Sequence, residues 1–208
     1  MSLSILTVHA HPDDESSKGP GTISLYSSQG VRTTLVCCTG GEVGDILNPA
    51  MDRDEVKKNL PAVRRAELDS AAAIIGYDEV VMLGYRDSGM PDSDDNDHPE
   101  AFANAELDVA VARLVKIIRR VRPQVIMTYP EVQNRYPHPD HLQVTAISIP
   151  AFDRAGDPGW YPEAGPPHEP IKLYAPIWSK QRLLLTHQAF LDRDLKSPFD
   201  EKWLSGKD

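Results

Sequence analysis

The chain has 208 residues, 40% of them hydrophobic and 25% charged, with a formal net charge of −9. That length suits one domain, read over residues 1–208, with enough material for a real core. The acidic balance argues against non-specific binding to nucleic acid or anionic membrane, although local arginines can still hold an anionic substrate. Cys37 and Cys38 are neighbours, a poor geometry for a bridge. The opening residues lack a secretory pattern, and no apolar run nears the roughly 20 residues that span a bilayer. A cytoplasmic location is therefore expected.

In chain order, Ile5, Leu6 and Val8 mark a first strand over residues 2–8. A helix is expected to finish over 22–29, ending near Gly30. Residues 31–39 (VRTTLVCCT), rich in β-branched side chains, read as a second strand. Gly40-Gly41-Glu42 breaks that strand, as a turn or a pocket wall. Residues 61–75 read as a helix with Pro61 in its first turn and Gly76 closing it. Residues 79–83 (EVVML) are a third strand. The clearest helix covers 106–121, where Leu107, Val111, Leu114, Val115 and Ile118 form one stripe and Arg113, Lys116, Arg119 and Arg120 lie mostly off it. Pro123 stops it. Residues 125–129 (VIMTY) are a fourth strand and 141–152 a further helix. A Pro- and Gly-rich loop at 155–170 precedes a fifth strand over 171–177 and a last helix over 181–195.

Strands alternating with helices predict an α/β fold, a doubly wound and mainly parallel sheet flanked by helices in the Rossmann-like manner. In the common order 3-2-1-4-5 the reversal lies between strands one and four, and ligand crevices open beyond the carboxyl ends of such strands. Each of these two strands is followed by a tetrad, His11-Pro12-Asp13-Asp14 and His138-Pro139-Asp140-His141. Together the tetrads supply three histidines and three carboxylates. A catalytic zinc takes three protein ligands and keeps one position open, and His11, Asp14 and His141 are assigned as those ligands. Metal-bound water has a pKa near 7, and Asp13 is left to take its proton as general base. As imidazolium, His138 would stabilise an oxyanion or protonate a leaving amine. Asp140 would hold its tautomer and raise its pKa. The bland alternative is two turns with incidental histidines. The two-His-one-carboxylate pattern of iron oxygenases ranks below hydrolysis, since it is usually carried on a jelly roll.

The segments AHPDDES (10–16), ESSKG (15–19), TGGEVGDILNPAMDR (39–53), VRRAEL (63–68), LGYRDSGM (83–90) and YPHPDH (136–141) resemble the zinc-dependent N-acetylglucosaminyl deacetylase family, the LmbE-like proteins. Within it they are similar to the mycothiol S-conjugate amidase branch. The resemblance runs over roughly residues 3–204 and implies the same ligand set, with Zn2+, or Fe2+ in its place, as the cofactor. It implies hydrolysis of the cysteinyl-glucosamine amide of mycothiol S-conjugates, a detoxification step. The alternatives are an N-acetylglucosaminyl-inositol deacetylase and a non-catalytic metal-binding protein. It implies that Tyr136 helps the oxyanion, although packing beside two prolines reads equally well. It places Arg64 and Asp87 against the amino-sugar and inositol, with a solvated helix face as the other reading of Arg64. Lys18 would contact the cysteinyl part, with a solvated lysine as its competitor. Partners are expected to be a small amino-sugar or thiol conjugate, with no nucleic acid or membrane and a homo-oligomer allowed. Members of the branch usually continue further, so a pocket wall is expected to be absent or supplied by another subunit. The acidic run Asp92–Asp97 lacks the glycine and glutamate of a calcium loop and reads as a solvated turn. His9 is expected in the core or behind the ligands, and His98, His168 and His187 at the surface.

Overall fold

The computed structural model describes residues 3–133, 137–177, 179–199 and 204. The chain divides into two compact units, Met1–Pro176 and Ile177–Asp208. The first holds a five-stranded sheet of order β3-β2-β1-β4-β5, in which every neighbouring pair is parallel. Its strands are β1 (Ser4–His9), β2 (Arg32–Thr39), β3 (Glu79–Tyr85), β4 (Val125–Met127) and β5 (Lys172–Tyr174). This is the order expected from the sequence, with the reversal between β1 and β4. β1 pairs with β2 from Ser4 against Arg32 to His9 against Cys37, and with β4 from Ile5 against Val125 to Thr7 against Met127.

Helices cover both faces because the strands are apolar on both. On one face Leu6, Val8, Val36 and Ile126 meet α5 (Leu107–Val121) and α6 (Pro139–Arg154) through Val111, Leu114, Ile118, Val144 and Ile147. Loss of one such side chain, Leu114→Ala for example, costs about 2–5 kcal/mol. On the other face Ile5, Leu35, Cys37 and Met127 lie in clusters with Ile23 of α2 (Pro20–Ser28) and with Leu68, Ala72 and Ile75 of α4 (Leu60–Ile75). Gly76 ends α4 in the left-handed conformation, φ 99°. Both cysteines are buried free thiols in β2.

Two short helices, α1 (Asp14–Ser17) and α3 (Asp54–Lys58), escaped the periodicity reading because barely one turn displays no stripe. β4 stops at Met127, two residues sooner than expected, and Tyr129 turns into the crevice. Arg119, expected off the apolar stripe of α5, is only 3% exposed. Its guanidinium donates to six carbonyls, those of Arg154, Ala155, Asp157, Trp160, Tyr161 and Gly165, at 2.7–3.3 Å. The Pro- and Gly-rich loop after α6 is thus wrapped around a buried cation. In the second unit α7 (Lys180–Leu191) starts at Ser179, whose Oγ accepts from the amide of Arg182 at 3.2 Å. Among the described residues no helix is long and apolar enough to cross a membrane.

Candidate metal centre

The crevice beyond β1 and β4 is an open pocket of about 600 Å³. It is lined by His11, Asp13, Asp14, Lys18, Arg64, Asp87, His138 and His141. Asp140, the other described candidate, is fully buried. Tyr136 lies outside the described residues.

The chain leaves β1 through His11-Pro12-Asp13, with Asp13 at φ 111°, a region that only glycine enters freely. That kink turns Asp14 inward as the first residue of α1, while Asp13 stays at the rim with its side chain 72% exposed. Asp14 Oδ2 accepts from the His11 amide at 3.0 Å and from the Tyr129 hydroxyl. It lies 3.6 Å from His11 Nδ1 and 3.5 Å from His141 Nε2. Oδ1 accepts from the ammonium of Lys18. Burial alone would raise the Asp14 pKa, but the two imidazoles and Lys18 hold it well below the ordinary value. Two ligands each bound at 2.0–2.2 Å to a tetrahedral zinc lie about 3.4 Å apart. Asp14 Oδ2 thus stands near that separation from each imidazole, while the ligand atoms of another trio, His11, Asp87 and Asp140, lie within 4.8 Å of one another. Ligand atoms of His11, His138 and His141 also fall within 4.8 Å of one another.

His11 is oriented from behind. Its Nε2 lies 3.0 Å from Asp140 Oδ2 and donates to it, leaving Nδ1 turned toward Asp14. Asp140 also accepts from the amide of Ser88 at 2.9 Å and from its hydroxyl. Asp87 Oδ1 is 3.6 Å from His11 Nε2 and accepts from the amide of Gly89 at 2.8 Å. Burial would lower the His11 pKa, yet Asp14, Asp140 and Asp87 raise it well above the usual value. Burial would raise that of Asp87, and His11 brings it down. The carboxylate of Asp140 is hydrogen-bonded to His11 and Ser88, and its charge raises the His138 pKa against burial, as expected.

His138 caps α6. Its Nδ1 accepts from the backbone amide of Asp140 at 3.2 Å, so the neutral ring carries its proton on Nε2. Burial, and then the neighbouring His11 and His141, lower its pKa to about 4. The ring is 4.6 Å from that of His11 and 5.0 Å from that of His141, centre to centre. The expected imidazolium is corrected to a neutral donor, since a proton on Nδ1 would face the helix amide.

Arg64, on α4, donates to the Pro12 carbonyl, to Asp13 Oδ2 at 2.7 Å and to the Gly41 carbonyl at 3.4 Å. Its side chain is 14% exposed, so the solvated-face alternative is excluded. Glycine at 41 and 44 makes this possible. A Cβ at Gly41 would stand 2.7 Å from the guanidinium, and one at Gly44 would collide with it. Partial desolvation by the surrounding loops, and then the Asp14 charge, raise the Asp13 pKa against the pull of Arg64. Lys18, too, is engaged with Asp14 and sits 5.4 Å above the Tyr129 ring instead of standing in solvent.

Sequence reasoning missed Tyr129 and Ser88. Tyr129 accepts from the Ala10 amide at 2.9 Å and donates to Asp14, tying the two tetrad loops together. Both residues come just after a strand's carboxyl end, the place where the fold rule concentrates site residues. His9 is buried at the end of β1, its pKa lowered by burial to about 4. Neither of its ring nitrogens has a hydrogen-bond partner among the described residues.

A profile of the GlcNAc-PI de-N-acetylase family matches residues 6–152. The mycothiol S-conjugate amidase of Streptomyces coelicolor is 45% identical over 208 residues, covering 97% of this chain and 70% of that protein. The 1D-myo-inositol 2-acetamido-2-deoxy-alpha-D-glucopyranoside deacetylase 1 of Catenulispora acidiphila is 42% identical over 179 residues, covering 82% of this chain and 54% of its own length. The chain thus spans a little over half to 70% of these relatives. Among solved structures, the N,N'-diacetylchitobiose deacetylase of Pyrococcus horikoshii superimposes with a TM-score of 0.68 at 21% identity, over 95% of this chain and 72% of that one, a likeness of fold.

Proposed function

This chain belongs to the GlcNAc-PI de-N-acetylase family, and from that membership we propose that it is a metal-dependent hydrolase of a linear amide, the cysteinyl-glucosamine bond of mycothiol S-conjugates. The reading is carried by one observation: a single carboxylate oxygen of Asp14 stands 3.5–3.6 Å from imidazole nitrogens on two loops distant in sequence, beside a second carboxylate at the pocket rim. His11, Asp14 and His141 would hold the ion, zinc or iron(II) in its place. Such an ion polarises a carbonyl and makes hydroxide available at neutral pH.

The side chains divide the remaining work. Asp13 takes the proton of the attacking water and passes it to the leaving amine. Its raised pKa makes it a better proton acceptor than an ordinary aspartate. Arg64 holds that carboxylate on the strained turn. His138, neutral, donates a hydrogen bond from Nε2 to the carbonyl oxygen as charge develops there and keeps its proton. The amino-terminal end of α6 adds the positive end of its dipole to the same charge. Asp140 keeps His11 in the tautomer that faces the ion. The amine released is a glucosaminyl-inositol and the acid an S-substituted N-acetylcysteine, a step in thiol-based detoxification. Two buried free thiols support a reducing, cytoplasmic setting.

A second reading, removal of acetyl from an N-acetylglucosaminyl-inositol, is supported by the Catenulispora relative. Purified protein given one equivalent of zinc is offered bimane-labelled mycothiol and the N-acetyl sugar in parallel. Faster cleavage of the bimane conjugate is expected. Turnover of the sugar alone would replace the first reading by the second. Stoichiometric metal with no turnover of either would leave a binding protein.

A further inference from the structure

Beside the metal-centre pocket lies a second cavity of about 330 Å³, with Ile46, Leu47, Met51, Val56, Leu60 and Val63 on one wall and the polar Glu15, Asn48 and Glu67 also in its lining. The apolar wall comes from the 45–51 segment, α3 and the first turn of α4, while Pro12, Glu15 and Ser16 beside the proposed ligand Asp14 line the side nearest the metal centre. Asp13, Asp45, Leu47 and Arg64 line both cavities, so the Asp13–Arg64 ion pair is the sill between them.

We propose that this cavity receives the apolar substituent carried on the sulfur of a thiol conjugate, and so sets which conjugates are cut; this rests on the amidase reading above. An amide placed beside Asp13 sends its amine part and its acyl part in opposite directions. The amine part, a hydroxylated sugar, needs hydrogen-bond partners, which the metal-centre pocket supplies through Asp87, Ser93 and Asp95. Its hydroxyls would lose those partners against the Met51, Val56, Leu60 and Val63 side of the second cavity. An acetyl group ends in one methyl and leaves the second cavity unused. A sulfur substituent one cysteine away from the amide is long enough to cross the sill and apolar enough to stay. Leu47, 88% exposed at the shared lip, is covered when it does so. The volume falls in the range that small-molecule pockets occupy, about 300–1,000 Å³.

The test uses the zinc-loaded protein and analogues in which a methylene replaces the amide carbonyl, so that binding is read without turnover. With S-methyl, S-butyl and S-hexyl members, calorimetric affinity should rise about threefold per added methylene, about 200-fold over the whole series. Met51→Asp should cut the hexyl-to-methyl ratio to below about tenfold, and Val63→Trp, which fills the space, should do the same. A flat series in the parent protein, or an unchanged ratio in both variants, overturns the assignment. Hydrolysis of the true amides is followed in parallel. A rising affinity without cleavage removes the amidase reading and keeps the cavity; cleavage with a flat series does the reverse.

Discussion

The molecule buries charge in two places and uses it in opposite ways. Around Arg119 a guanidinium is enclosed by six backbone carbonyls, neutral acceptors of the end of α6 and the loop after it. The loop and the cation satisfy each other completely, and nothing remains to act on a ligand. In the crevice the buried groups are titratable on both sides. Carboxylates of Asp14, Asp87 and Asp140 face the imidazole of His11, and that contact draws the pKa of Asp14 and Asp87 down and that of His11 up. Such a cluster holds together only with a proton or an ion shared among its members. A structural charge is closed by dipoles of fixed orientation, whereas a functional one is closed by partners that can exchange what they hold.

The contrast can be broken in order of expected effect. Asp13→Asn should lower activity about 10²- to 10⁴-fold while metal content, read by elemental analysis after dialysis, stays at the parent value. Metal lost in step with activity would mean that Asp13, and not Asp14, is a ligand. His141→Ala should lose both metal and activity, and retention of a full equivalent would move the centre elsewhere. Arg119→Met should cost about 3–5 kcal/mol in urea unfolding, with activity per folded molecule preserved. A variant that unfolds like the parent yet no longer works would abolish the distinction between the two regions. Asp140→Asn should weaken metal affinity about 10- to 100-fold through the orientation of His11, measured by chelator competition.

The smallest effect is the pH dependence of stability in the metal-free protein. Between about pH 4 and 6.5 the unfolded chain protonates His9 and His138 while the folded chain does not, so stability rises with pH. Above 6.5 the folded chain keeps on His11 a proton that the unfolded chain has released, so stability falls until His11 itself deprotonates. The contribution of Asp14 is complete above its ordinary value of 3.8 and is lost as the pH drops below it. Thermal melts should therefore peak near pH 6.5. Saturating zinc, which displaces the His11 proton, should remove the alkaline decline, and an unchanged profile would argue against His11 as a ligand.

The strand order, the crevice and the two tetrads were legible in the amino-acid sequence because each depends on local pattern. Apolar runs and helical stripes mark the elements, parallel crossovers follow a fixed hand, and a metal needs particular donors whatever surrounds them. Arg64 and Lys18 could be named from resemblance, yet their burial against Asp13 and Asp14 could not. Helical spacing tells which side of α4 a residue lies on and says nothing about two glycines 20 and more positions earlier that open a channel for it. Periodicity likewise set Arg119 outside the core, since a stripe cannot register a loop folding back over it.

What only the tertiary structure decided is who partners whom. Asp140 is next to His141 and two residues from His138, and local reasoning set it to hold the His138 tautomer. Folding brings it 3.0 Å from His11, 129 positions away, and turns a backbone amide onto His138 instead. The physical reason is that an element's type depends on neighbours along the chain, whereas tautomer and charge depend on neighbours in space, which belong to other loops and are set when the sheet closes them together.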